Sequence, residues 1–212
     1  MTSLLATLFD FDGVLADTLA DMLRFAGETC SEMGYPRTPT PADLDALERM
    51  SLVDYALQLG IPADRTEEFA RRMVARFETK DEPPALFPGM DAVVRAAAAR
   101  GQAGIVTGNS GRAVARFLDQ HRLRAAIDVL ISVEHPGTRA EKIGAALAQL
   151  GRQPCDACLI GDAVSDVRAC REVGVRSIAV AWGHQSAPRL AAAGAHDVVG
   201  SPQELDELLG RI

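Results

Sequence analysis

Lysine is almost absent from this 212-residue sequence: only Lys80 and Lys142 occur. Basic residues number 22 against 29 acidic ones, a formal net charge of −7. That balance argues against a nucleic-acid partner or an anionic membrane surface. An anionic substrate must then be drawn in by local charge rather than by the field of the whole protein. No apolar run approaches the ~20 residues of a membrane span. No basic n-region with a cleavage pattern precedes the first apolar run, so no secretory leader is expected, and the protein is expected in the cytoplasm. Cysteine is sparse, with Cys30, Cys155, Cys158 and Cys170. Cys155 and Cys158 have zinc or redox spacing but no second pair, and Cys158 opens an apolar run. Reduced thiols are therefore expected, not a disulfide framework or a zinc site. Internal repeats and low-complexity tracts are missing as well.

What is present is an alternation. Short apolar runs at Leu4–Phe9, Gly104–Thr107, Val129–Ser132, Ala157–Ile160, Ser177–Ala181 and Asp197–Val199 read as buried strands. Between and after them, Asp91–Arg100, Arg112–Gln120, Arg139–Leu150, Asp166–Val173, Pro188–Ala193 and Pro202–Leu209 carry helical patterns. Strand–helix alternation predicts an α/β fold with a doubly wound parallel sheet. The alternation fails between Asp17 and about Pro84, where no strand is expected. That stretch reads as helices over Leu19–Met33, Pro41–Arg49, Leu52–Leu59 and Asp64–Lys80. Thr40-Pro41-Ala42-Asp43 sets a cap, a first-turn proline and an acidic third position in order. Asp64-Arg65-Thr66-Glu67 is a second capping signal.

Chemistry-bearing residues fall at the strand ends, where α/β folds bind ligands. Asp10-Phe11-Asp12-Gly13 closes the first strand with two carboxylates, which repel unless a cation or a proton intervenes. Thr107-Gly108-Asn109 closes the second with a hydroxyl, a glycine and an amide. Gly161-Asp162 closes the fourth, and Asp166, four residues on, is expected on the same helix face as Asp162.

These segments, with Lys142 between the second and the last, resemble in order and spacing the four motifs of the haloacid dehalogenase-like superfamily. The match covers essentially the whole chain and is strongest to the phosphoglycolate phosphatase-like subgroup. The resemblance implies a Rossmann-like core over residues 1–16 and 83–212, with an inserted all-helical cap over residues 17–82. It implies a phosphomonoester hydrolase that needs Mg2+ and acts on a small phosphorylated metabolite through an aspartyl-phosphate. Asp10 is then nucleophile and metal ligand. Asp12 gives a proton to the leaving oxygen and later takes one from water, and binds metal by its backbone carbonyl. Thr107, Gly108 and Asn109 hold phosphoryl oxygens, and Lys142 neutralises charge. Asp162 binds the metal. Asp166 either binds it or orients Lys142.

One departure matters: Ile143 follows Lys142 where many relatives have proline. Whether Lys142 or the nearby Arg139 points into the site is left open. Specificity is expected in the cap, with Arg49, Arg71 and Arg72 as candidates for a substrate carboxylate. Trp182-Gly183-His184 falls on the same sheet edge; His184 is a candidate for substrate contact or proton traffic, with a loop histidine of no such role the favoured reading. A sugar-phosphate mutase of the β-phosphoglucomutase kind, a pyrophosphatase and a non-catalytic regulator that binds a phosphorylated ligand are the alternatives. Monomer and homodimer are both compatible with the sequence.

Overall fold

The structure is a computed structural model and describes residues 6–212, so Leu4 and Leu5, the expected start of the first strand, lie outside the described residues. The first strand, β1 (Ala6–Phe9), is buried at every position. A strand covered on both faces needs mainly apolar residues, and Ala-Thr-Leu-Phe supplies three of four, with the β-branched Thr7 buried among them. It pairs in parallel with β4 (Gln102–Val106) on one side and with β6 (Ala157–Gly161) on the other. Adding β5 (Val129–Ile131), β7 (Arg176–Val180) and β8 (Asp197–Val199) gives one sheet in the order β5-β4-β1-β6-β7-β8. Every pairing in it is parallel, and Phe9 stands level with Ile105 and Ile160. The fold is α/β, as the alternation predicts.

Side chains alternate across the sheet, so β1 feeds two cores. Phe9 packs with Phe11, Met90, Phe117 and Ile160, against α5 (Met90–Arg100), α6 (Gly111–Gln120) and α10 (Pro202–Leu209). Leu8 packs on the other face with Val106, Ile143, Leu147 and Leu159, against α7 (Arg139–Leu150) and α8 (Val164–Val173). A short helix, α9 (Ala187–Ala192), lies between β7 and β8.

The stretch expected to lack strands is bounded by two very short ones. β2 (Ala16–Asp17) and β3 (Ala85–Leu86) pair antiparallel and form the foot of the insert. Between them lie α1 (Leu19–Glu32), α2 (Pro41–Asp45), α3 (Leu52–Gln58) and α4 (Thr66–Thr79). These four share a hydrophobic cluster of their own, including Phe25, Leu44, Tyr55, Phe69 and Met73. The expected cap of α2 forms: Thr40 donates its backbone N–H and its hydroxyl to Asp43 Oδ2, each at 2.8 Å. The expected cap of α4 does not. Asp64 sits in a 3-10 turn over Ala63–Arg65, and Arg65 occupies the cap position, where its side chain pairs with Glu68 and accepts no bond from a helix amide. Helix α2 also stops at Asp45 rather than running to Arg49.

Phe69 is fully buried, with its ring edge-on to Tyr55 at 6.2 Å. Truncation of a core phenylalanine typically costs about 3–5 kcal/mol. Phe69→Ala is therefore expected to lower the melting temperature by roughly 6–20 °C in calorimetry. Amide exchange should rise across α1–α4 while β1 and β6 stay protected; loss of protection throughout the sheet would show that the helices share one core with it.

Candidate active site

The sheet order sets the carboxyl ends of β1, β4 and β6 side by side. Asp10 follows β1 directly, and its N–H donates to Ile160 O at 2.8 Å. The chain then turns tightly, with the amides of Leu15 and Ala16 both directed at Phe11 O at 2.9 Å. Gly13 takes φ +76° in this turn, and a Cβ there would overlap Asp162 Oδ2. A side chain is excluded on both counts. Gly183 also closes on Asp162, and a Cβ there would overlap the same carboxylate oxygen.

Asp162 lies in the loop after β6, before α8 begins. The expected shared helix face of Asp162 and Asp166 is thus not what joins them. Asp166 is the third residue of α8 and turns back over the helix start, where its Oδ2 accepts from Ala163 N at 3.3 Å. That satisfies an amide the helix leaves unpaired. One carboxylate oxygen each from Asp10, Asp162 and Asp166 lies within 4.8 Å of the others. Such an all-oxygen set could hold a hard divalent cation.

Arg139 sits among these carboxylates. Its guanidinium is 3.1 Å from Asp10 Oδ1 and 2.8 Å from Asp166 Oδ1, and it donates to Val106 O at 2.7 Å. The structure does not bring Lys142 to the carboxylates. Lys142 Nζ donates to Ser132 O at 3.0 Å. The reason is geometric: side chains on a helix lean toward its N-terminus. From the first position of α7, Arg139 reaches over the helix end, whereas Lys142 lies a turn deeper beside β5. The Lys142 pKa is lowered, by burial and then by the nearby Arg139 charge.

Asp12 stands apart from this group, on Asn109. The Asn109 amide donates to Asp12 Oδ2 at 3.2 Å and its Oδ1 accepts from Ser110 N at 2.8 Å. The Asn109 N–H donates to Thr107 Oγ1 at 2.9 Å, which leaves the Thr107 hydroxyl proton free to donate elsewhere. Gly108 is exposed, and a Cβ there would touch nothing within 4 Å. A small space of about 30 Å³ opens beside Asn109, lined by Phe11, Thr18, Phe77, Lys80 and Arg116 among others.

His184 is the residue the sequence undervalues. It is buried, and both its N–H and its Nδ1 lie 2.7 Å from Asp162 Oδ2. Its Nε2 is 3.4 Å from Thr18 Oγ1. The available signal was the Trp-Gly-His step directly after a strand, where glycine permits close approach. The cap arginines are not brought to the site. Arg49 is 76% exposed and holds Asp54 at 2.8 Å. Arg72 is spent on Glu68 and Glu32, and Arg71 is exposed.

Electrostatics follow from this crowding. Burial pushes Asp10 up to about 6 despite Arg139, and the Asp162 and Asp12 charges add to the rise. Burial likewise lifts Asp166 to about 7 against the pull of Arg139. Asp12 is raised by burial, opposed by the His184 charge and by hydrogen bonds from Asn109 and Thr18. Burial opposes protonation of His184, yet Asp162, with Asp12 and Asp10, carries it up to about 9. The site thus offers a carboxylate at a strand end, a second carboxylate able to hold a proton, a cation-binding oxygen set and a fixed guanidinium.

The model of a family described as haloacid dehalogenase-like hydrolase matches residues 7–180. The chain is 29% identical over 205 residues to a phosphoglycolate phosphatase of Synechococcus elongatus, covering 94% of each chain. It is 26% identical over 217 residues to an N-acetylmuramic acid 6-phosphate phosphatase of Pseudomonas aeruginosa, covering 97% of this chain and 95% of that one. The fold resembles that of a haloacid dehalogenase-like family hydrolase from Streptococcus pneumoniae, with a TM-score of 0.86 at 21% identity over 98% of this chain and 99% of the other.

Asp10 near 6 and Asp166 near 7 both start from 3.8 when unfolded. The folded state then holds more protons across that interval, so its stability is greatest below the interval and falls as pH rises through 6–7. In chelator, the melting temperature is expected to fall between about pH 5.5 and 8. A divalent cation should restore more of it at the higher pH. A flat or rising profile in chelator would contradict the crowding argument.

Proposed function

The chain belongs to the haloacid dehalogenase-like hydrolase family and is a phosphatase, and we propose that it hydrolyses the phosphomonoester of a small phosphorylated metabolite through Asp10. The observation that carries this reading is the split between the carboxylates. Asp10 lies in the cation-binding set with Arg139, while Asp12 is held apart on Asn109. Nucleophile and proton carrier need those two different environments.

In the first step an Asp10 oxygen attacks phosphorus and the ester P–O bond breaks. Asp12 gives its proton to the departing oxygen, and the leaving alcohol is released. Asp10 is left as an aspartyl-phosphate. In the second step Asp12 takes a proton from water, whose oxygen attacks phosphorus. The bond to Asp10 breaks, and inorganic phosphate and the free carboxylate result. The raised pKa of Asp12, set by burial, suits a group that must be protonated for half of the cycle. The Thr107 hydroxyl and the Gly108 N–H are the donors assigned to the phosphoryl oxygens. The cationic role that the resemblance gives to Lys142 passes here to Arg139, which already faces Asp10.

Asp10, Asp162 and Asp166 fit magnesium, with the Asp12 carbonyl as a further oxygen. When bound, the cation neutralises charge on the nucleophile and the phosphoryl group. Residues 17–82 are read as a lid domain on a core of residues 1–16 and 83–212; the separate hydrophobic cluster and the β2–β3 foot support this. A phosphoglycolate-like substrate is favoured by the relatives that act on phosphoglycolate. A cytoplasmic location belongs to the same reading, with all four cysteines unpaired.

Asp10→Asn is expected to lower kcat by about a millionfold, roughly 8 kcal/mol, with the fold intact by circular dichroism. Retained turnover within tenfold, or no phosphoryl-like fluoride complex on Asp10, would sink the covalent route. Asp12→Asn should slow a poor leaving group far more than an activated aryl phosphate, because the activated one needs less protonation. Arg139→Ala should cost about 100–1000-fold in kcat, while Lys142→Met stays within about tenfold. The reverse ranking would return the cationic role to Lys142.

A further inference from the structure

The loop after β7 leaves the sheet edge and takes hold of the helical insert. Gln185, 2% exposed, uses both ends of its side chain. Its Oε1 accepts from Val164 N at 2.7 Å. Its Nε2 donates to the carbonyls of Leu44 and Asp45 at 3.2 Å each and Leu47 at 2.8 Å. Ser186 adds its N–H and hydroxyl to the Asp45 carboxylate at 2.7 and 3.2 Å. Arg189 donates to Ala46 O and Leu47 O and pairs with Glu48 at 2.6 Å. Arg168, on α8, pairs with Glu48 as well.

These partners meet a specific need. The last carbonyls of a helix have no partner within it and carry partial negative charge. Helix α2 has only five residues. A helix that short has no stability of its own. Core groups of the right sign, one amide and two guanidiniums, supply what its C-terminus lacks. At the other end, Val164 N is one of the amides that α8 leaves unpaired, beside the Ala163 N held by Asp166. One residue before Gln185, His184 holds Asp162. Three consecutive residues therefore join α2 to the elements that carry Asp162 and Asp166.

We infer that Gln185 is a positioning residue: it seats the helical insert through α2 and, through Val164 N, keeps the first turn of α8 in register with that seating. This rests on the lid reading of residues 17–82. Gln185 touches neither the nucleophile nor the proton carrier, and its effect on turnover runs through the placement of α2 and α8.

Two substitutions in the full-length protein separate its two ends. Gln185→Glu keeps an acceptor for Val164 N but removes both donors to α2, whereas Gln185→Ala removes both ends. Hydrogen exchange, followed without substrate or metal, reads the result directly. In Gln185→Glu the amides of Ala46 and Leu47, bonded to Ala42 O and Leu44 O, should exchange about tenfold faster or more, with Val164 unchanged. In Gln185→Ala all three should accelerate. With magnesium, KM for phosphoglycolate should rise about fivefold or more in both variants, while Gln185→Glu keeps kcat on a small aryl phosphate within about twofold. Wild-type exchange over residues 41–48 in both variants would overturn the inference. So would equal losses of kcat on both substrates in Gln185→Glu, the mark of a merely structural residue. Should Gln185→Ala not fold, the double variant Ser186→Ala, Arg189→Ala should speed exchange at Ala46 and Leu47 and leave Val164 as it was. Accelerated exchange without any phosphate release would sink the phosphatase reading and leave the positioning role standing.

Discussion

Four carboxylates crowd one edge of the sheet, and the rest of the structure is arranged around that crowding. Asp10, Asp162 and Asp166 approach within 4.8 Å, and the charge of Asp12, two residues after Asp10, acts on Asp10 as well. Two like charges at ~4 Å repel by about 4 kcal/mol at the effective dielectric of a protein surface. Arg139 lies between Asp10 and Asp166, His184 against Asp162, and Asn109 against Asp12. Even so, burial leaves Asp10 and Asp166 raised. The local rule that buried charge should be fully paired is broken here, as functional sites break it.

The topology makes the crowding unavoidable. With β1 between β4 and β6, any residues that close those three strands must meet. Asp10, Thr107 and Asp162 do so. Gly13 and Gly183 then pack so tightly against Asp162 that its carboxylate has almost no room to move. A fixed carboxylate suits a cation site, because orientation is set before the cation arrives. The strand order, the glycines and the charge cluster are thus one constraint expressed at three levels.

The sheet was legible in the sequence because central parallel strands must be apolar throughout, and runs such as Ala157–Gly161 are so. Asp10, Asp12, Asp162 and Asp166 were legible because they close or follow such runs. Arg139 was not separable from Lys142. Spacing gives the helix, not which side chain crosses its end toward Asp10. His184 was passed over because its role depends on Asp162, 22 residues away in sequence and 2.7 Å away in space. The early end of α2 has a related cause. Short helices take their bounds from tertiary partners: α2 ends where its carbonyls meet Gln185 and Arg189. Arg49 suited a substrate carboxylate by residue type, but Asp54, five residues on, holds it first.

How the insert is fastened limits how it can move. Lys80 at the end of α4 pairs with Asp21 at the start of α1, so the two ends of the insert are joined to each other. Arg116 of α6 donates to the carbonyls of Lys80 and Asp81 at 3.5 and 2.9 Å, which ties that end to the sheet domain. The far side is held by Gln185, Ser186 and Arg189 on Leu44–Glu48. Rotation about the β2–β3 foot would break the second and third sets of bonds and leave the first intact. The second set involves only exposed groups, which contribute little. The third includes the buried Gln185, whose amide would lose all its carbonyl partners on α2 at once, while its bond to Val164 N, within the sheet domain, would persist. Opening is therefore resisted mainly on the far side. Pro83 and Pro84, where the insert returns to the sheet domain, line the same small space as Lys80 and Asn109. Asp12, on Asn109, and Asp10, beside Arg139, meet different partners although only two residues separate them.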